Sequence, residues 1–247
     1  MASILYVFPH PDDESFGPAP LLARQQRQGH DVHLLTLTRG EATSQRKRLG
    51  LSKEDMAQTR YEEMMNVADV LDLASIRVLQ YPDGGLAETN PLMLEDTVAE
   101  HLHRTEADVV VTYPVHGVSG HPDHLVTHAV VKRVVCTFVR EGLPYPRRLA
   151  FFTLPAPGDN ADRPSHLQHS PDGLIDCVVE LSDDDVAAGK EALQCYVTYQ
   201  PVIEEHQPID ALGGRVHLEM FGEAFDPVAS ALLDDLPAGA PSWLTIS

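Results

Sequence analysis

The chain has 247 residues, with 18 Lys or Arg against 37 Asp or Glu, a formal net charge of −19. That balance argues against nucleic acid or an anionic membrane as a partner, because both require a basic patch. Apolar residues make up 43% and charged residues 22%, an ordinary globular composition with enough length for a sizeable core. No apolar run approaches the roughly 18–20 residues of a membrane helix. The first eight residues, Met1 to Phe8, lack a basic segment and a small-residue cleavage site, so they read as a first strand and not a signal peptide. A cytoplasmic location is the expectation. Cys136, Cys177 and Cys195 form no CxxC pair and lie in apolar stretches, which predicts buried thiols, not a disulfide framework or a thiolate zinc site.

Strand and helix signals then alternate. Residues 4–8 form a continuous apolar run, a buried strand. Residues 17–28 read as a helix stopped by Gly29, and 32–38 as a second strand. Ser52, with Asp55 three residues on, opens a long helix whose apolar stripe is Met56, Tyr61, Met64, Met65, Ala68 and Leu71. Residues 76–79 are strand three, 92–102 a helix, 108–113 strand four and 125–139 a helix. Strands are predicted at 149–154 and 175–181. Ser182 with Asp185 opens a helix to about residue 199, and 216–221 is a last strand. Residues 155–173, rich in Pro, Gly, Asp, Asn and Ser, form a long loop, a class that is often functional; residues 159–162 could border a pocket. Such alternation implies an α/β fold with a mostly parallel sheet and helices on both faces, a Rossmann-like three-layer arrangement. No G-x-G-x-x-G follows strand one and no Walker A motif is present, which disfavours a dinucleotide or nucleotide site.

Chemistry concentrates at two strand ends. Strand one runs into Pro9-His10-Pro11-Asp12-Asp13-Glu14. One Asp there is explained by a helix N-cap; the histidine, two prolines and adjacent acids together are not. After strand four comes Gly120-His121-Pro122-Asp123-His124, flanked by His116 and His128. Both segments leave the carboxyl edge of the sheet, where open α/β folds bind ligands. A histidine and a carboxylate from the first segment with a histidine from the second make a ligand set that leaves one metal position open. Imidazole and carboxylate without thiolate suit Zn²⁺, Fe²⁺ or Mn²⁺.

These paired motifs resemble those of the LmbE/PIG-L family of metal-dependent N-deacetylases acting on N-acetylglucosamine (GlcNAc) conjugates. Pro9 stands where the family usually has Ala. Further similar features are Thr38-Arg39-Gly40-Glu41, Arg60 with Glu63, Pro82-Asp83-Gly84 and, more loosely, Lys190, Tyr196 and Gln200. The resemblance covers most of the chain and implies one LmbE-like domain over residues 1–247. It implies that His10, Asp13 and His124 ligate zinc, with Asp12 as general base on the attacking water. His121 would stabilise the oxyanion or protonate the leaving amine, with Asp123 orienting its ring. Arg60 and Asp83 match positions that hold sugar hydroxyls. The implied partner is a small-molecule GlcNAc conjugate, such as the GlcNAc-malate or GlcNAc-inositol precursors of bacillithiol and mycothiol; the oligomeric state stays open. A thiol-conjugate amidase of the same family and a non-catalytic metal- or sugar-binding module are the alternatives.

Other residues carry plainer readings. Glu14 suggests a supporting or helix-end charge, and His116 and His128 positions outside the ligand set. Glu41 fits a hydrogen bond near the site or a cap. The acidic triplet 183–185 fits a helix N-terminus. Arg60 and Asp83 have structural readings of their own, a surface salt bridge and a turn-forming Asp. Gly117-Val118-Ser119-Gly120-His121 nearly matches a serine-hydrolase nucleophile elbow, but His121 stands where the last Gly belongs.

Overall fold

The computed structural model describes residues 1–157, 166–239 and 241. The chain order is β1 (Ser3–Phe8), α1 (Ala19–Arg27), β2 (Asp31–Thr38), α2 (Gln45–Leu49), α3 (Lys53–Val70), β3 (Ser75–Tyr81), α4 (Pro91–Thr105), β4 (Val109–Thr112), α5 (Pro122–Arg140), β5 (Arg148–Thr153), β6 (Cys177–Glu180), α6 (Asp183–Gln194), α7 (Gln200–His206), α8 (Pro208–Ala211) and β7 (Arg215–Met220). The strands form one seven-stranded sheet in the order β3-β2-β1-β4-β5-β7-β6. Its first five strands are parallel, while β7 runs antiparallel to both β5 and β6. The predicted mostly parallel α/β fold is therefore present.

Period-two alternation divides the core. In β1, Ile4, Tyr6 and Phe8 face one apolar cluster with Leu22, Met64 and Val67, while Leu5 and Val7 face the other with Val98, Val131 and Val135. Helices α1, α3 and α6 thus cover one face and α4 and α5 the opposite one.

The strand order reverses between β1 and β4, which pair directly through Ile4↔Val109, Leu5↔Val110 and Tyr6↔Val111. This is the topological switch point at which such sheets open a crevice. The two motif segments leave these adjacent strands side by side.

Several local readings change. Helix α1 begins at Ala19 because residues 11–18 form consecutive turns, and Pro18 and Pro20 suit a first helical turn. The helix predicted to residue 199 stops at Gln194; Val197–Tyr199 is a 3-10 turn, and the break turns Tyr196 inward to complete burial. The short helices α2, α7 and α8 had no periodic signal of useful length. On α3, Ser52 caps the helix by accepting from Asp55 N at 3.0 Å. The buried face is Met56, Arg60, Glu63, Met64, Val67 and Ala68, so Arg60 replaces Tyr61 and Met65 in the predicted stripe. A surface salt bridge is thus the wrong description of Arg60, which is 2% exposed. All three cysteines are free; Cys177 is buried and the other two are half-buried. Residues 159–162 lie outside the described residues.

The acidic triplet does more than complement a helix dipole. Asp185 closes a capping box with Ser182 and accepts from Arg24 Nε at 2.9 Å, while Arg27 pairs with its other oxygen. These bonds tie α6 to α1. Asp185→Ala should destabilise the fold by about 1–2 kcal/mol in denaturant titrations, mostly the lost cap because the arginine partners are partly solvated. Burial works against the Asp185 carboxylate, but bonds from Ser182 and Arg24 hold its pKa below the usual value. A lowered native pKa gives stability that is present above the unfolded carboxylate value of about 3.9 and is lost as pH falls through the native value. The wild-type advantage should therefore be constant above about pH 5 and shrink below about pH 4.

Candidate active site

Both motif segments are held by backbone geometry specific to them. Asp12 has φ of +84°, an uncommon conformation for a residue other than glycine and one concentrated at functional sites. Its carbonyl accepts from the Ser15 and Phe16 N–H groups, both at 2.8 Å, so the chain turns at once into the helical direction. Across the crevice, His121 is the N-cap of α5: its Nδ1 accepts from Asp123 N at 3.2 Å, and Pro122 follows in the first turn. Asp123 and His124 then point inward from that turn and are buried.

His10, Asp13 and His124 converge. His10 Nδ1 lies 3.3 Å from His124 Nε2 and 3.5 Å from Asp13 Oδ2, and His124 Nε2 lies 3.4 Å from Asp13 Oδ1. The outer nitrogens fix the tautomers. His124 Nδ1 donates to the Gly117 carbonyl at 2.8 Å, which leaves Nε2 with its lone pair. His10 Nε2 faces the carboxylates of Asp123 at 3.1 Å and Asp83 at 3.3 Å, which makes it the N–H and leaves Nδ1 with the lone pair. With His10 as the neutral ring, two imidazole lone pairs and a carboxylate face one another, and a divalent cation would take the place of the proton that His10 otherwise shares with Asp13. The edge of a tetrahedron with bonds of ~2.0–2.1 Å is about 3.3–3.4 Å, so the donor set fits a divalent metal. Among the described residues, two other clusters have ligand atoms within 4.8 Å, His10 with His121 and His124, and His10 with Asp83 and Asp123. The second is the weaker candidate, because Asp123 already accepts from Gly84 N at 2.8 Å and Leu86 N at 3.0 Å and His10 presents its N–H there.

Surrounding groups set the charges. Burial disfavours a charged His10, but hydrogen bonds to Asp123 and Asp13 outweigh it and raise the pKa to about 10. Burial likewise opposes ionisation of Asp13, yet His124 and His10 hold it at the low end of the carboxylate range. Burial of Asp12, reinforced by Asp13 and Glu14 and only partly offset by Arg60, raises its pKa to about 7. Two neighbouring carboxylates thus have opposite tendencies, the pattern expected where one is held ionised and the other handles a proton.

Arg60 anchors Asp12. One terminal nitrogen donates to Asp12 Oδ2 and the Pro11 carbonyl, both at 2.6 Å, and the other to the Gly40 carbonyl at 3.3 Å. The Tyr199 ring covers the guanidinium at 4.3 Å. A Cβ at Gly40, where φ is +65°, would lie 2.1 Å from the Arg60 guanidinium, so only glycine fits there. Asp83 accepts from Ala42 N at 2.6 Å, and Glu41 in turn accepts from Asp83 N at 3.1 Å.

The expected partnership of Asp123 with the His121 ring is not what the structure shows. The Asp123 carboxylate is taken by His10 Nε2 and the 84–86 backbone, and it is the backbone N–H of Asp123 that meets His121. An inward residue two steps past a helix cap points across the crevice, away from the capping side chain. His121 still stands over the centre, its ring 4.8 Å from that of His10 in an edge-on arrangement. With Nδ1 accepting, its N–H is at Nε2.

Sequence reading missed one support and left the role of a second undefined. Tyr113, immediately after β4, donates to Asp13 Oδ1 at 2.8 Å and stacks on His124 at 4.2 Å between centroids. His128 in turn bonds the Tyr113 carbonyl through Nδ1 at 2.9 Å, one turn of α5 after His124. The i, i+4 spacing of His124 and His128 was a usable signal for the second. Glu14 is fully buried and accepts from Tyr196 at 2.6 Å and Ser15 at 2.7 Å, contacts that no local pattern announces. Ser119 is no nucleophile: its hydroxyl lies 3.4 Å from His124 Nδ1, whose proton is already committed to Gly117, so no base faces it among the described residues.

These residues floor a cleft of about 490 Å³. Among the described residues, no helix is long and apolar enough to cross a membrane.

Comparison with known proteins identifies relatives of this chain. A 1D-myo-inositol 2-acetamido-2-deoxy-alpha-D-glucopyranoside deacetylase of Kineococcus radiotolerans is 30% identical over 166 residues, covering 56% of this chain and 46% of that protein. A probable N-acetyl-alpha-D-glucosaminyl L-malate deacetylase 2 of Bacillus subtilis is 30% identical over 146 residues, covering 57% and 64%. The chain thus spans about half to two thirds of the length of these relatives. Among solved structures, the conserved protein TT1542 from Thermus thermophilus superposes with a TM-score of 0.60 at 26% identity, covering 86% of this chain and 85% of that one. The family described as PIG-L, GlcNAc-PI de-N-acetylase, matches residues 5–135, which include both motif segments and more than half of the sequence, and the chain belongs to that family.

Proposed function

We propose that this protein is a zinc-dependent hydrolase that removes the N-acyl group of a small GlcNAc-containing molecule. One observation carries the reading: His10 Nδ1, His124 Nε2 and the Asp13 carboxylate converge at the floor of a cleft, with Asp12 beside them. The family relationship supplies the substrate class. Its relatives are named as deacetylases of GlcNAc-inositol and GlcNAc-malate compounds.

Amide hydrolysis needs an activated water, stabilisation of the oxyanion and a proton for the departing nitrogen. His10, Asp13 and His124 would hold the zinc, which supplies Lewis acidity toward the water and the carbonyl oxygen. Asp12, with a pKa near neutrality, takes the water proton and can return it to the nitrogen. His121 donates from Nε2 to the developing oxyanion. Asp123 holds His10 in the tautomer that presents Nδ1, and Tyr113 holds Asp13. Arg60 serves through Asp12. Asp83, whose carboxylate retains unused acceptor sites, is the candidate for a sugar hydroxyl.

The test is amine release from a panel of GlcNAc conjugates, with chelation and zinc restoration. Zinc-dependent release of glucosamine products is expected. Full metal occupancy without release from any panel member would instead favour a binding module.

A further inference from the structure

The lining of the cleft extends beyond the reaction centre. From it, an apolar wall continues outward. Tyr113, stacked on His124, meets the Phe152 ring at 6.5 Å between centroids. Phe152 packs so closely over Gly17 that a Cβ there would come within 2.2 Å of the ring. Phe16 meets Tyr199 edge-on at 6.4 Å. Leu154, Leu167, Val202 and Leu212 extend the lining.

The charges along the cleft point the same way. Asp12, Asp13 and Asp83 line it, and among the described residues Arg60 is its only Lys or Arg. Arg60 is consumed by Asp12 and two backbone carbonyls. No lysine or arginine of this described lining is left to receive a carboxylate or a phosphate on the substrate. Outside the reaction centre the described polar side chains of the lining are few, with Thr43, Ser119, His166 and His206 set among Phe, Leu and Val, so most hydroxyls of a polyol laid on the apolar stretch would lose water without compensation.

We infer that the cleft takes an amide substrate bearing an apolar chain of several carbons, which lies along the Phe16–Phe152–Val202 wall. This inference rests on reading the site as an amide hydrolase. The chain belongs either to the acyl group or to the substituent at the anomeric carbon, and the shared chemistry is the chain itself. A malate-type dianionic substituent is disfavoured because Arg60 is committed to Asp12 and Asp83 faces the same cleft. Apolar wall left wet would forfeit the hydrophobic gain that a chain recovers, about fourfold in affinity per methylene fully buried.

The experiment compares four ligands on the zinc-loaded protein: N-acetylglucosamine, N-hexanoylglucosamine, the hexyl glycoside of N-acetylglucosamine, and GlcNAc-malate. Binding is measured by calorimetry on the Asp12→Asn variant, so that turnover does not interfere, and amine release on the wild type. At least tenfold tighter binding of one hexyl-chain ligand over N-acetylglucosamine is expected, and which one identifies the side that carries the chain. In Val202→Asn that ratio should fall at least threefold; Val202 is half-buried, and a second variant, Leu167→Asn, guards against misfolding. Equal binding of all four ligands, or a preference for GlcNAc-malate, would overturn the inference whatever the turnover. Chain-selective binding with no amine release would keep the subsite and sink the hydrolase reading.

Discussion

Asp12→Asn should keep its full complement of zinc and lose about 10²–10⁴-fold in kcat, the usual worth of a positioned general base. The amide can accept the Arg60 hydrogen bond through its oxygen, so the loop with φ of +84° should persist. What it cannot do is hold a proton near neutral pH. Metal analysis and steady-state kinetics on one preparation decide the matter. Near-normal turnover would assign the base elsewhere, and lost zinc would show Asp12 to be a ligand. Arg60→Lys separates anchoring from sugar binding. A lysine cannot span Asp12, Pro11 and Gly40 together. If Arg60 acts through Asp12, kcat falls, on the order of 10²-fold for a misplacement of about 1 Å. A sugar contact felt equally in ground and transition states would raise KM instead.

The second large effect concerns the metal. His10→Ala, Asp13→Ala and His124→Ala should each abolish stoichiometric zinc at micromolar concentrations, because each removes one of three donors. Asp123→Ala gives the sharper result. Its carboxylate touches no other ligand of the proposed triad but holds His10 Nε2 at 3.1 Å. Loss of such an outer partner weakens metal binding by roughly 10–100-fold. Competition with a chromophoric chelator measures both classes, with the ligand variants lying below the Asp123 variant. Had Asp123 instead oriented His121, zinc affinity would be unchanged and only kcat would fall. Undiminished zinc in both His10→Ala and His124→Ala would remove the proposed triad.

Much of this could be read along the chain, and the reason is local. The strand at 4–8 is buried on both faces and therefore appears as an unbroken apolar run. Ser52 and Ser182 announce helix starts because a cap bonds within three residues. The motif segments were visible because their histidines and carboxylates crowd into a few positions, and strand alternation alone carried both to one sheet edge. Helices α2, α7 and α8 were not visible, since four to seven residues contain too little of a 3.6-residue period.

The sequence by itself determined the α/β class, the two clusters and the family they resemble. Tertiary structure alone decided who pairs with whom inside the site. Asp123 sits two residues from His121 yet serves His10, 113 residues away, because a helix turn aims successive side chains in different directions. Arg60, assigned to a sugar hydroxyl with a surface salt bridge as its plainer reading, is buried, because its partners Pro11, Asp12 and Gly40 come from two other strand ends. Tyr196 reaches Glu14 across 182 residues. A hydrogen bond depends on positions in space, and between distant segments those positions exist only after the sheet has paired and the helices have packed upon it.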